Sequence, residues 1–318
     1  MDVTKKMRLV GVFVAVLIGA IAVWPIMRAS RGGVPALGTG GALGGLRQPQ
    51  LRYTFGEGQA AGLGNPLAVT GSGGEVYVSD AQKEHVLVFN RDGSFVRRIG
   101  ERGESPEQLR YPYGVALHER KLYVADMGAA TILVFDPGGK LLGTFGSPGL
   151  LSKPTDLEFH GDKLYVADAG LHQVLVLDAY GNLLERIGGP GEGEGRFRYP
   201  NGIALADDGT LYVADSGNDR VQVFDAADRF LRVIKGGEKT GPLSAPRGIA
   251  LDRYGTLYVV AGLQNTVVAF DRTGRERFRL TAPKGSPEAL YLPNGLYVDP
   301  EGRIYVTESG NRRVSVFE

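Results

Sequence analysis

The chain has 318 residues, a formal charge of +1 at neutral pH, 43% hydrophobic residues and no cysteine. The missing cysteines exclude a disulfide framework and a cysteine-linked lipid anchor. The near-zero charge hides a split: residues 1–50 hold six Lys/Arg and one Asp, whereas residues 51–318 hold 30 basic and 34 acidic side chains, a net −4. No basic run supplies the clustered cations that phosphate neutralisation requires, so no nucleic-acid partner is expected.

Residues 1–8, MDVTKKMR, precede an uncharged stretch, LVGVFVAVLIGAIAVWPIM, at 9–27. Nineteen apolar residues meet the length needed to cross a hydrocarbon core of about 30 Å. Lys5, Lys6 and Arg8 lie before the stretch, which makes residues 1–8 a cytoplasmic n-region. Arg28 and Arg31 after it weaken the asymmetry. We read 9–27 as a transmembrane signal anchor; the alternative is a signal peptide with Ala20-Ile21-Ala22 as its cleavage motif. Both readings place the rest of the chain outside the cytoplasm, periplasmic or at the cell surface. Residues 28–50 are a Gly-rich linker, whose roughly 20 flexible residues span roughly 25 Å on average.

From residue 51 onward six near-copies of one segment follow. Their marker is a tyrosine strand: VYVSD at Tyr77, LYVAD at Tyr123, Tyr165 and Tyr212, LYVVA at Tyr258 and IYVTE at Tyr305. The tyrosines are 46, 42, 47, 46 and 47 residues apart, the signature of a repeat architecture. Each copy contains four strand-length apolar runs separated by turn residues; the fourth reads GIAL, LYVAD, RVQVFD and FLRVI. The second run is almost continuously apolar, which suits a strand covered on both faces. Four strands per copy and six copies predict an all-β, six-bladed β-propeller over 51–318. The last copy ends after its third strand, and LRYTFG at 51–56 resembles the missing fourth. The N-terminal strand is therefore expected to complete the last blade and close the ring, which removes open sheet edges.

The pattern P-x-G-I-A, then G-x-L-Y-V-A-D-S-G-N-x-R-V-x-V-F-D, then the stretch GGPGEGEGRFRYP at 188–200, resembles the NHL repeat. The resemblance covers all six copies, is sharpest in the fourth and is eroded in the first and third. A WD-type propeller is disfavoured because the only tryptophan, Trp24, precedes the repeats. Some NHL propellers bind RNA through a basic face, which this mildly acidic chain lacks. NHL-like amidating lyases use a zinc held by several histidines. Of the four histidines here, His85 and His172 fall in turns at one end of the blades, and His118 and His160 at the other, so a three-histidine zinc site is not expected.

Candidate site residues come from comparing the copies. The first strand opens Pro-x-Gly at Gly114, Gly202, Gly248 and Gly295, as expected where six inner strands crowd one axis. The first copy has Ala68 there and the third Asp156, a carboxylate where the others have almost nothing. The residue before it varies: Leu67, Tyr113, Thr155, Asn201, Arg247, Asn294. These residues are expected to ring the channel mouth, with Tyr113, Thr155, Asp156, Asn201, Arg247 and Asn294 as the binding set. Arg247 would clamp a carboxylate or phosphate. The acid closing the second strand, Asp80, Asp126, Asp168, Asp215 or Glu308, is expected to be architectural, with Arg220 and Arg313 as ion-pair partners. The fifth copy has Ala261 and reads AGLQNTV, a less polar turn where a partner could dock.

The reading is a membrane-tethered, extracytoplasmic propeller that binds or scaffolds a protein, a peptide or an envelope glycan. It is expected to be monomeric and without a cofactor. The alternative is a calcium-dependent hydrolase or lyase of the gluconolactonase or amidating-lyase propeller type, with calcium on Asp156, Asn201 and Asn294.

Overall fold

Each copy folds as a four-stranded antiparallel sheet in the computed structural model, giving six blades. The structure describes residues 48–318 apart from 58–61, 104, 106, 238–240, 281, 283 and 284. The apolar stretch 9–27 and residues 28–47 of the linker lie outside the described residues. Among the described residues, no helix is long and apolar enough to cross a membrane.

Strand a, innermost, opens at a proline in every blade: Pro66–Ser72, Pro112–His118, Pro154–His160, Pro200–Leu205, Pro246–Leu251 and Pro293–Val298. Proline suits this edge position, where its missing N–H costs nothing. Strand b carries the tyrosine: Glu75–Asp80, Lys121–Asp126, Lys163–Asp168, Leu211–Asp215, Leu257–Ala261 and Ile304–Glu308. Strand c follows at His85–Asn90, Thr131–Phe135, Gln173–Leu177, Arg220–Phe224, Thr266–Phe270 and Arg313–Phe317. Strand d is Phe95–Ile99, Leu141–Phe145, Leu183–Gly188, Phe230–Ile234 and Glu276–Leu280 in blades 1 to 5.

Blade 6 takes its strand d from the other end of the repeat region. Leu51–Phe55 pairs antiparallel with Arg313–Phe317, setting Leu51 opposite Phe317 and Phe55 opposite Val314. The pairing reaches one residue into the expected linker: Gln50 and Glu318 exchange backbone hydrogen bonds of 2.9 and 3.0 Å.

The core is split into six clusters, one at each blade interface. The near-continuous apolar run of strand b follows from this, because successive residues serve different interfaces. In blade 5, Leu257, Val259 and Ala261 pack toward blade 4, whereas Tyr258 and Val260 pack toward blade 6.

In every blade but the fifth, the acid closing strand b organises the end where strand a begins. Asp126 accepts backbone N–H groups from Arg110 (2.6 Å), Tyr111 (3.0 Å), Gly128 (2.9 Å) and Ala129 (3.0 Å). Asp168 does the same for Ser152, Lys153, Gly170 and Leu171. Buried Asp215 and Glu308 additionally pair with Arg220 (2.7 Å) and Arg313 (2.8 Å). These carboxylates tie the b–c turn to the connection entering strand a, an architectural role.

Blades 4 to 6 add a latch between neighbouring blades. The residues just before strand a, Tyr199, Ala245 and Leu292, are left-handed, with φ of 53°, 47° and 48°. Each donates its N–H to a side chain in the preceding blade's b–c turn: His172 Nδ1 (3.0 Å), Asp219 Oδ1 (2.8 Å) and Asn265 Oδ1 (2.8 Å). Left-handed tyrosine and leucine carry backbone strain, and the latches hold it in place.

Candidate binding site at the channel mouth

The glycines of strand a let the inner strands touch. A Cβ on Gly114 would lie 2.7 Å from the Asp156 Cα of the next blade, and one on Gly248 2.6 Å from the Asn294 carbonyl oxygen. Gly202 and Gly295 face equally close backbone, at Arg247 and at Leu67–Ala68. Strand-b hydroxyls reinforce the contact. Ser79 accepts the Ala68 N–H (2.9 Å) and donates to the Tyr113 carbonyl (2.5 Å). Thr307 accepts the Gly295 N–H (2.7 Å) and donates to the Leu67 carbonyl (3.1 Å).

Of the sequence candidates, the axial cavity is lined by Tyr113, Thr155, Asp156, Asn201 and Asn294, with Leu67 beside them. Tyr113 crosses the axis from blade 2. Its hydroxyl accepts from Asn201 Nδ2 of blade 4 (3.0 Å) and donates to Asn294 Oδ1 of blade 6 (3.3 Å). The cavity left is about 30 Å³, room for about two waters. Thr155 is buried, and its hydroxyl is shared between the Ala167 (3.3 Å) and Pro200 (3.2 Å) carbonyls, so it fastens blade 3 to blade 4.

Asp156 takes the position the glycines leave empty. Its carboxylate reaches into the next blade, accepting the Ile203 N–H at 2.9 Å and the Leu157 N–H at 3.0 Å. Burial pushes its pKa up to about 7, against the lowering effect of those two bonds. Glu158 stands two residues along on the same face, where blades 2, 4 and 5 have Ala116, Ala204 and Ala250 opposite the strand-b tyrosine. Burial first, and the Asp156 charge second, raise its pKa to about 8. Comparing copies at this second position would have singled out Glu158 as its one charged residue, beside the three alanines, Thr70 in blade 1 and Tyr297 in blade 6.

Arg247 is not part of the cavity lining. Its side chain lies over the b–c turn of its own blade, where a Cβ on Gly262 would come within 2.9 Å of its Nε. Among the described residues it makes no ion pair. The departures of blade 5 are therefore linked: Ala261 removes the acid, and Gly262 makes room for the guanidinium. Across the mouth, the Tyr111 phenol of blade 2 senses the Arg247 charge, although burial dominates and holds its pKa up to about 12.

The calcium alternative does not fit this donor set. The Tyr113 hydroxyl stands between the two asparagine oxygens, and both Asp156 oxygens accept backbone N–H groups. Among the described residues, no group of three or more His, Cys, Asp or Glu is placed to hold a metal. Three of the four histidines are taken up by burial, stacking or a backbone hydrogen bond. Burial lowers the His85 pKa to about 4, His118 stacks on Phe159 with centroids 4.1 Å apart, and His172 holds Tyr199.

The NHL-repeat family model matches residues 197–224 and 290–317, which span the b and c strands of blades 4 and 6. A second model, DUF5128, described as a 6-bladed beta-propeller, matches residues 61–148. The chain is an NHL-repeat six-bladed β-propeller. The two NHL matches flank blade 5, whose b–c turn departs from the repeat. No curated protein sequence matches this NHL propeller significantly. Among solved structures it resembles a gluconolactonase from Xanthomonas campestris at 19% identity, covering 80% of this chain and 87% of that one, with a TM-score of 0.62. It also resembles virginiamycin B lyase from Staphylococcus aureus at 14% identity, covering 85% and 99%, with a TM-score of 0.60. A WD40 propeller domain of Doa1 matches at 14% identity, covering 86% and 98%, also with a TM-score of 0.60. These likenesses establish the fold and leave the chemistry to the site.

Proposed function

We propose that this NHL propeller is a binding module that grips a protein, peptide or envelope glycan at its channel mouth. The observation carrying this reading is the mouth itself. Tyr113 closes the axis down to about 30 Å³, too little for a small-molecule substrate, for which sites of about 300–1,000 Å³ are usual. On the rim, Arg247 lies against Gly262 and has no acidic partner among the described residues. A rigid ring of blades presenting varied side chains at fixed positions suits recognition. The uncharged stretch 9–27, flanked by Lys5, Lys6 and Arg8, supports tethering to a membrane with the propeller outside the cytoplasm.

The reading is tested by crosslinking in native membranes. A specific partner should be recovered, and its yield should fall several-fold with Arg247→Ala or Asn294→Ala. An unchanged set of adducts in both variants would remove the mouth as the recognition surface.

A further inference from the structure

The b–c turn of blade 5, Gly262–Asn265, joins one ring candidate, Arg247, to two residues that the ring does not contain, Tyr291 and Leu292. Arg247 lies over Gly262 at one end. At the other end Asn265 Oδ1 holds the N–H of Leu292 at 2.8 Å. Leu292 is left-handed, with φ 48°, and is 41% exposed; its neighbour Tyr291 is 52% exposed. The Tyr291 ring is pressed against Gly310 in the b–c turn of blade 6, which has no Cβ to displace it. A cation without an acid and an apolar shelf thus lie at the two ends of one short turn, each held by packing or a hydrogen bond. An exposed leucine in a strained, latched conformation serves no core, and its neighbour is a half-exposed aromatic ring of the kind that anchors partners.

We propose that this corner captures the C-terminal residue of a peptide. The terminal carboxylate would pair with Arg247, and the apolar side chain on the same Cα would rest on Leu292 and Tyr291. The inference rests on the mouth reading above and names its ligand. Charge complementarity selects the carboxylate: one planar guanidinium with no acidic partner among the described residues matches one carboxylate in bidentate geometry. Leu292, the strained and exposed half of the shelf, selects an apolar side chain over a sugar acid, whose hydroxyls it cannot bond; a sugar ring could use only the Tyr291 face, and the oligosaccharide arm of the test reads that case. The closed axis behind Tyr113 selects a chain that stops at the mouth and does not thread it. Capture of chain termini is an established recognition mode.

The test uses the full chain in detergent micelles and fluorescein-labelled hexapeptides ending in Leu or Phe, each as free acid and as C-terminal amide. An amidated hexapeptide with an internal Glu and a uronic-acid oligosaccharide complete the set. The free acids should bind at least 10-fold more tightly than the amides. Arg247→Gln should remove that difference. Leu292→Gly, which suits the left-handed backbone, should weaken the free acids about 3-fold or more. Equal binding of acid and amide would overturn the proposal, as would binding of only the internal-Glu peptide or only the oligosaccharide. If those last ligands still depend on Arg247, the mouth reading stands while the terminus proposal falls. If no probe binds at millimolar concentration, or Arg247→Gln changes nothing, the terminus proposal falls and the mouth reading loses its support from Arg247.

Discussion

The Tyr113 hydroxyl of blade 2 lies 3.0 Å from Asn201 Nδ2 of blade 4, so one side chain spans the axis of the propeller. With its bond to Asn294 of blade 6, it ties alternate blades at the mouth. Tyr113→Phe removes the hub and leaves two amides short of a partner. The expected loss is about 1 kcal/mol, read by urea unfolding, with an unchanged far-UV spectrum. No measurable loss would mean that water replaces the hydroxyl.

Asp215 is fully buried and accepts from Arg198 N (2.7 Å), Asn218 Nδ2 (2.9 Å), Arg220 Nε (2.7 Å) and Gln222 Nε2 (3.1 Å). Asp215→Ala strands a buried guanidinium and is expected to destabilise by about 3–5 kcal/mol. Blade 5 shows how an acid is dispensed with: Ala261 faces Thr266, which stands where blades 4 and 6 have the strand-c arginine and whose hydroxyl donates to the Leu280 carbonyl at 2.8 Å. Asp215→Ala combined with Arg220→Thr should therefore recover part of the loss in denaturant titrations.

Asp156 and Glu158 have folded-state pKa values raised to about 7 and about 8. Between pH 4 and 8 the folded state thus binds protons that the unfolded state has released. Stability contributed by these groups is complete below the ordinary carboxylate range and falls as the pH rises toward 8. Glu158→Gln removes one of the two penalties. The variant should match the parent near pH 4 and exceed it above pH 8 by on the order of 2 kcal/mol. Thermal melts at both pH values check this, and a parent protein more stable at pH 8 than at pH 5 would contradict it.

The strand-a glycines make a sharper packing test. Gly248→Ala drives a methyl group to 2.6 Å from the Asn294 carbonyl oxygen, and is expected to cost about 1–3 kcal/mol. Gly193 has nothing within 4 Å of its would-be Cβ, so Gly193→Ala should stay within about 0.5 kcal/mol. Comparable effects at the two positions would show that the inner strands are looser than described.

The six blades were legible because strand b repeats at a nearly fixed spacing, and the closing strand because LRYTF supplies the one strand the last copy lacks. The architectural acids were legible because five copies agree and two of them place an arginine at the start of strand c. Position on the ring proved readable, but side-chain direction did not. Nothing in the sequence tells that Tyr113 spans the axis, that Thr155 is spent on two carbonyls, or that Arg247 folds back over Gly262 and leaves the cavity. The left-handed Tyr199 and Leu292 were hidden for a related reason. Such backbone normally announces itself as glycine or asparagine, and here the side chain of the preceding blade holds it.

The central claim is that recognition happens at the mouth and not on the opposite face. A benzophenone side chain placed at position 264, in the b–c turn of blade 5, should give a discrete crosslinked adduct in native membranes, lost with Arg247→Gln. The same probe at position 180, on the opposite c–d turn where Tyr180 is 88% exposed, should give none. Adducts at position 180 alone, or at both positions irrespective of Arg247, would contradict the account.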